Sequence, residues 1–179
     1  RWLGSLHATE LDSATLINNA GVIPAISPLG GIAASDLANA LRVGLESPMA
    51  LTSAFLRVTG RWAQQGWSGP RKVLNISSGL GRRAMASQAG YCAAKAGMDH
   101  FTRCLALEEA LKPDGARVCS LAPGVIDTDM QVQLRGAAST AFPDVGNFIG
   151  LKDKGLLSSP DGAAAQVLGY LDRADFGAN

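Results

Sequence analysis

Residues 72–95 read KVLNISSGLGRRAMASQAGYCAAK. The opening run, Lys72 to Ser77, is apolar and β-prone, and a second hydroxyl, Ser78, follows it. From Tyr91 onward an alanine-rich pattern of helical period begins. A strand that hands over to a helix across a glycine-rich loop is half of a strand–helix–strand unit, and such units build parallel sheets. Tyr91 and Lys95 are four apart, so on a helix they share a face, with Cβ atoms roughly 5–6 Å from each other. A phenol ordinarily loses its proton near pH ~10; a neighbouring ammonium favours the phenolate and is expected to lower that value for Tyr91. Ser78, at the strand end, can bring a hydroxyl to the same point. A carbonyl oxygen held there would meet an anchor, a proton donor and a tuning cation.

Outward from this stretch the chain alternates strand and helix patterns. Residues 1–7 read as the last turns of a helix. Residues 15–19 read as a buried strand, followed by a Gly- and Pro-rich loop over 22–34. Ser35 is the expected N-cap of a long helix over 36–65 that Pro48 should kink. The second strand covers 71–77 and a loop covers 79–90. The next helix, over 91–111, places Ala94, Met98, Phe101 and Leu105 on an apolar face, with Lys95, Asp99, Thr102, Arg103 and Glu109 opposite. Lys112-Pro-Asp-Gly115 stops it, and a third strand covers 116–121. Thr128 and Gln131 fit a capping box at the start of a helix that runs to about Arg135. Residues 137–155 read as an irregular flap carrying Phe142, Val145, Phe148 and Ile149. Ser159 or Ser158 caps a last helix over 161–171. Strands separated by such helices imply a parallel α/β sheet with right-handed crossovers.

The chain has 179 residues, 47% of them hydrophobic, which suits one domain with a sizeable core. A net charge of +1 gives no reason to expect a nucleic-acid partner. No uncharged apolar run reaches the ~18 residues that would cross a bilayer, so no membrane partner is expected. Cys92, Cys104 and Cys119 show neither a CxxC pair nor metal-ligand spacing, which points to reduced thiols, a cytoplasmic setting and no metal site. His7 and His100, the two histidines, stand apart from any GxSxG elbow, against a hydrolase triad.

Ser78, Tyr91 and Lys95 in this spacing resemble the active-site signature of the short-chain dehydrogenase/reductase family. Two further segments agree in order and separation. Leu16-Ile-Asn-Asn-Ala-Gly21 resembles the family's Asn-Asn-Ala-Gly motif, and Ala122-Pro-Gly-Val-Ile-Asp-Thr-Asp-Met130 resembles its loop after the sixth strand. Leu107-Glu-Glu, Asp127-Thr-Asp-Met-Gln131 and Lys154-Gly155 are most similar to the sepiapterin reductase and benzil reductase branch. The likeness runs from about Thr15 to Asp172.

The resemblance implies a Rossmann-like, doubly wound parallel sheet and an NAD(P)H-dependent reduction of a small-molecule ketone or diketone. In that scheme Ser78, Tyr91 and Lys95 are catalytic. Asn18, Ala20, Gly21, Tyr91, Lys95, Pro123, Gly124, Val125 and Thr128 would lie against the cofactor, NADP by the branch resembled and NAD as the alternative. A homodimer or homotetramer built on the two long helices is also implied, with Leu51, Ala93, Ala96 and Gly97 as contact positions. The family's glycine-rich phosphate-binding half has no counterpart in these residues. The chain is therefore expected to be the C-terminal portion of one dinucleotide-binding domain, and the strand at 15–19 to pair with a strand ahead of it.

Two positions depart from the family pattern. Gly44 stands where a tetrad asparagine is common, and Ser158-Ser159-Pro160 stands where sepiapterin reductases carry a pterin-anchoring carboxylate. Gly79-Leu-Gly-Arg-Arg-Ala84 also matches a GxGxxA phosphate fingerprint. Such a loop should open a helix directly and meet an acidic residue at a second strand end, whereas the acid at 99 falls in mid-helix. A non-catalytic nucleotide-sensing or scaffold protein on the same fold is the alternative function, to which Gly44 lends weight.

Overall fold

The computed structural model describes residues 2–178. Three strands, β1 (Ala14–Asn18), β2 (Arg71–Ile76) and β3 (Arg117–Leu121), form a parallel sheet in the order β1-β2-β3. Ala14 pairs with Arg71 and Asn18 with Asn75; Lys72 pairs with Arg117 and Ile76 with Leu121. The carboxyl ends of all three strands thus lie along one edge of the sheet.

The helices are α1 (Ala34–Leu41), α2 (Ser47–Gln64), α3 (Ala89–Ala110), α4 (Asp129–Arg135), α5 (Val145–Asp153) and α6 (Pro160–Leu171). Side chains alternate across a strand, so Val73 and Leu74 of β2 point to opposite faces and both are fully buried. Val73 joins Phe55 and Trp62 of α2, Leu105 of α3 and Val118 of β3 in one core. Leu74 joins Cys119, Leu171 of α6 and Phe176 in the other. Covering both faces of a parallel sheet is what the doubly wound architecture requires.

Several expectations need correction. The N-terminal residues form two 3-10 turns, Trp2–Ser5 and Ala8–Glu10, with Leu3 and Leu6 against the first core; Arg1 lies outside the described residues. The helix expected over 36–65 is divided by a π-helical turn, Arg42–Glu46. Pro48 falls just after it, at the start of α2, where its missing N–H interrupts the helical ladder as expected, the interruption taking the form of a π-turn. Ser35 lies inside α1; the N-cap is Ala33, without a side-chain cap. Thr128 caps α4 in position only, since its side chain makes no capping bond. Ser159 does cap α6, accepting from the Gly162 N–H at 3.1 Å.

The polar side expected for α3 is buried too. Lys95, Asp99, Thr102 and Glu109 are all inside; Arg103 is exposed. These polar groups have tertiary partners. Asn75 donates to Thr102 Oγ1 at 2.8 Å, and Glu109 accepts from the Ala116 N–H at 2.9 Å and pairs with Lys112. Residues 137–155 are not an irregular flap: they contain α5, and Phe142, Val145 and Phe148 pack with Leu134 of α4 in a third core.

β1 has a hydrogen-bonded neighbour on one side only among the described residues, and Ile17 is 39% exposed. An apolar edge strand is a template for association. The chain of residues 1–179 alone is expected to self-associate at micromolar concentration, and Ile17→Lys to shift it toward monomer in sedimentation velocity.

Candidate active site

A cleft of about 640 Å³ opens at the carboxyl ends of the strands. Its walls come from the ends of all three strands: Asn19 and Gly21 after β1, Ser77 to Leu80 after β2, and Ala122 to Ile126 with Thr128 after β3. Tyr91 and Lys95 of α3 form its floor, while Met130, Leu134 and Phe148 close the far side. Its volume falls within the usual range for small-molecule and cofactor sites.

Tyr91 and Lys95 share one face of α3, with the Lys95 ammonium 5.8 Å from the centroid of the Tyr91 ring. Lys95 is only 4% exposed, and its Nζ donates to the Ile76 carbonyl at 2.7 Å. The last carbonyl of β2 therefore fixes the cation beneath the phenol. Ser78 is extended, and its Oγ accepts from the Leu80 N–H at 3.2 Å. Burial holds the Tyr91 phenol above its ordinary value; a hydrogen bond from Ser78 opposes this and the neighbouring Cys92 adds to it. The expected lowering by Lys95 is absent. The ammonium is turned to the Ile76 carbonyl, and desolvation outweighs the rest. Lys95 itself is pulled below its ordinary value by burial, with Asp99 opposing.

Asn18 lies under the cleft and not in its wall. Its Nδ2 donates to Asn75 Oδ1 at 2.7 Å and sits 3.0 Å from Thr52 Oγ1, so it bonds across the sheet. Asn19, not singled out from the sequence, takes the place in the wall, and Ala20 is exposed beside it. A Cβ on Gly21 would lie 3.7 Å from Lys95 Nζ, so the missing side chain leaves the space above the ammonium open. Gly124 has φ +88°, a backbone that favours glycine, and turns the third loop inward. Ser158 pins that loop: its N–H donates to Val125 O and its carbonyl accepts from the Asp127 N–H, each at 2.9 Å. Asp127 also meets Lys152 of α5 and Arg135 of α4. The Thr128 hydroxyl, not engaged in capping, lines the cleft.

Gly44 is buried in the π-turn, where a Cβ would stand 3.0 Å from Ala94 Cβ, so the π-turn and α3 meet too closely for a larger residue without a shift. Gly97 is half-buried and faces Leu45, not an outside surface. Gly79–Gly81 forms one 3-10 turn and opens no helix, so the GxGxxA match has no phosphate-loop geometry. Sequence reasoning also missed Ile23, Arg83, Gln88 and Met130 in the wall, which reach it only through tertiary packing.

The model of the short chain dehydrogenase family matches residues 7–138. The chain belongs to that family. Among its short chain dehydrogenase relatives, benzil reductase ((S)-benzoin forming) of Bacillus cereus is 34% identical over 174 residues, covering 97% of this chain and 68% of that protein. Sepiapterin reductase of Xenopus tropicalis is 32% identical over 176 residues, covering 96% of this chain and 63% of that protein. In structure the chain is similar to the KRED1-Pglu enzyme, with a TM-score of 0.71 and 28% identity over 84% of this chain and 59% of that one. It thus spans between 59% and 68% of the length of these three relatives. The family is one of oxidoreductase enzymes, and its Rossmann-like parallel fold is the one described above.

Tyr91 and Tyr170 are the two tyrosines. A spectrophotometric titration of the native chain minus Tyr91→Phe is expected to show Tyr91 ionising above pH ~10, because burial disfavours the phenolate. A midpoint below that value would mean that Lys95 outweighs burial.

Proposed function

We propose that the protein is an NAD(P)H-dependent carbonyl reductase acting on ketones or diketones, and that the strand-end cleft is its active site. The observation that carries this reading is the convergence of Ser78, Tyr91 and Lys95 on the cleft that Gly21 and the 122–128 loop also line. The residues fit the nicotinamide and ribose half of the cofactor. The space over Lys95 is free of side chain at Gly21, and the Val125 N–H and Thr128 hydroxyl are not engaged in backbone bonding or capping. Lys95 would hold the ribose, and Pro123, Gly124, Val125 and Thr128 the carboxamide side. When bound, the reduced nicotinamide supplies a hydride.

The protein's own residues supply position and a proton. Ser78 binds and polarises the carbonyl oxygen. Tyr91 donates its proton to that oxygen as negative charge develops there; a phenol kept protonated by burial is in the form that reduction needs. Lys95 would keep a positive charge beneath the resulting phenolate. Ile23, Leu80, Met130, Leu134 and Phe148 give the substrate side an apolar wall, which suits bulky or aromatic carbonyl compounds. The benzil reductase relatives support an aromatic diketone as the first substrate to try, with NADPH and NADH each tested as the reductant.

We also propose a homodimer or homotetramer through α2 and α3, whose outer faces expose Met49, Leu51 and Leu107. The full-length protein should sediment as a dimer or larger at micromolar concentration.

In the full-length protein Tyr91→Phe is expected to lower kcat for an aromatic diketone at least about tenfold, with cofactor affinity changed by no more than a few-fold. Retained turnover would remove Tyr91 from the chemistry; no turnover in the native protein would favour the nucleotide-sensing alternative.

A further inference from the structure

Asp99 is the acidic side chain that the reaction scheme leaves without a role. It stands one helical turn beyond Lys95, so Tyr91, Lys95 and Asp99 form a ladder on one face of α3. It is 5% exposed, and neither carboxylate oxygen has a hydrogen-bond partner. A carboxylate taken out of water without hydrogen bonds is expensive unless a charge compensates it. Two cations are available. Lys95 lies on the same face, and Arg82 Nε lies 3.4 Å from Asp99 Oδ2, its own side chain 63% exposed.

Gly81 permits the approach. A Cβ there would sit 2.9 Å from Asp99 Oδ2 and 3.0 Å from the Lys95 carbonyl, so only a bare backbone lets the loop after β2 lie flat on α3 at this turn. The Gly-Leu-Gly-Arg-Arg stretch, which has no phosphate-loop geometry, thus brings Arg82 onto the buried acid.

We propose that Asp99 is a positioning residue that keeps Lys95 charged beneath Tyr91, and that Arg82 sets how much of the Asp99 charge Lys95 feels. The proposal rests on the reading of Lys95 given under the proposed function. Burial alone would favour the neutral amine, and Asp99 opposes it. Around Lys95, β2 presents the uncharged Ile76 carbonyl and the loop after β1 presents Gly21. The titratable or charged groups that face it are Tyr91 and Asp99 on α3 and, through Asp99, Arg82; Arg83 and Asp129 line the same cleft further out. Arg42 and Glu46 of the π-turn are exposed and pair with each other.

The test titrates Lys95 directly in the full-length protein, by the chemical shift of isotopically labelled lysine Cε, with Lys95→Arg identifying the resonance. Asp99→Asn keeps the shape and removes the charge, so the Lys95 midpoint should fall by about one pH unit or more. Arg82→Ala, at an exposed position, leaves the carboxylate to Lys95 alone, so the midpoint should rise. A merely structural Asp99 would not give opposite signs. An unchanged midpoint in Asp99→Asn, or a fall in Arg82→Ala, overturns the proposal; if Asp99→Asn does not fold, the sign in Arg82→Ala decides alone. The alkaline limb of diketone reduction should move with the midpoint in each variant. A midpoint that moves while that limb stays would leave Asp99 assigned and remove Lys95 from the reaction.

Discussion

A buried ammonium has to be compensated where it lies, and the placement of Lys95 governs much of this structure. Its partner is the final carbonyl of β2, a group with no further strand residue to bond. That one bond couples the end of the sheet to the first turns of α3 and so fixes where Tyr91 stands over the cleft. The loop between them must then lie close against α3, which Gly81 allows. The same closeness brings Ser78 to the phenol. A neutral side chain at 95 would remove both the electrostatic reason for this arrangement and its directional bond.

Deeper in the protein a polar network does the same work between layers. Asn18 at the end of β1 reaches Asn75 in β2, and Asn75 reaches Thr102 of α3, while Thr52 of α2 meets Asn18 from the helix layer. Each bond joins residues far apart in sequence, and all four side chains are buried. Leaving any of them unmatched would cost about 1–3 kcal/mol per orphaned group, so the network favours one register of strands and helices over its neighbours. The loop after β3 is held differently, from outside, by the Ser158 backbone and by the cations that meet Asp127. The cleft is therefore rigid where Tyr91 and Ser78 stand and is strapped by α4 to α6 on the far side.

The sequence showed the three strands to within a residue or two, because short apolar runs bounded by Gly and Pro have few other readings. It showed α3 for its alanine-rich period, but only one of its buried faces. Lys95, Asp99, Thr102 and Glu109 read as the side opposite the apolar face because charge and hydroxyl ordinarily mean surface, Lys95 alone being assigned a place in the site. Their burial depends on partners at residues 76, 82, 75 and 116, which no local window contains. The π-turn before Pro48 was invisible for a related reason. A proline signals an interruption, but the kind of interruption depends on how tightly the π-turn and α3 approach at Gly44 and Ala94.

Sequence alone thus determined the order of the strands, the family, and which side chains could supply a hydroxyl, a phenol and an ammonium, since these follow from residue type and spacing. Tertiary structure decided the rest. It placed Asn19 in the cleft wall and Asn18 under it, left Thr128 free of its expected cap, folded Phe142 into a core, and turned Lys95 toward a carbonyl instead of the phenol. Each of these outcomes depends on desolvation and on a partner distant in the chain. Both are set by how the layers pack, and no local pattern carries them.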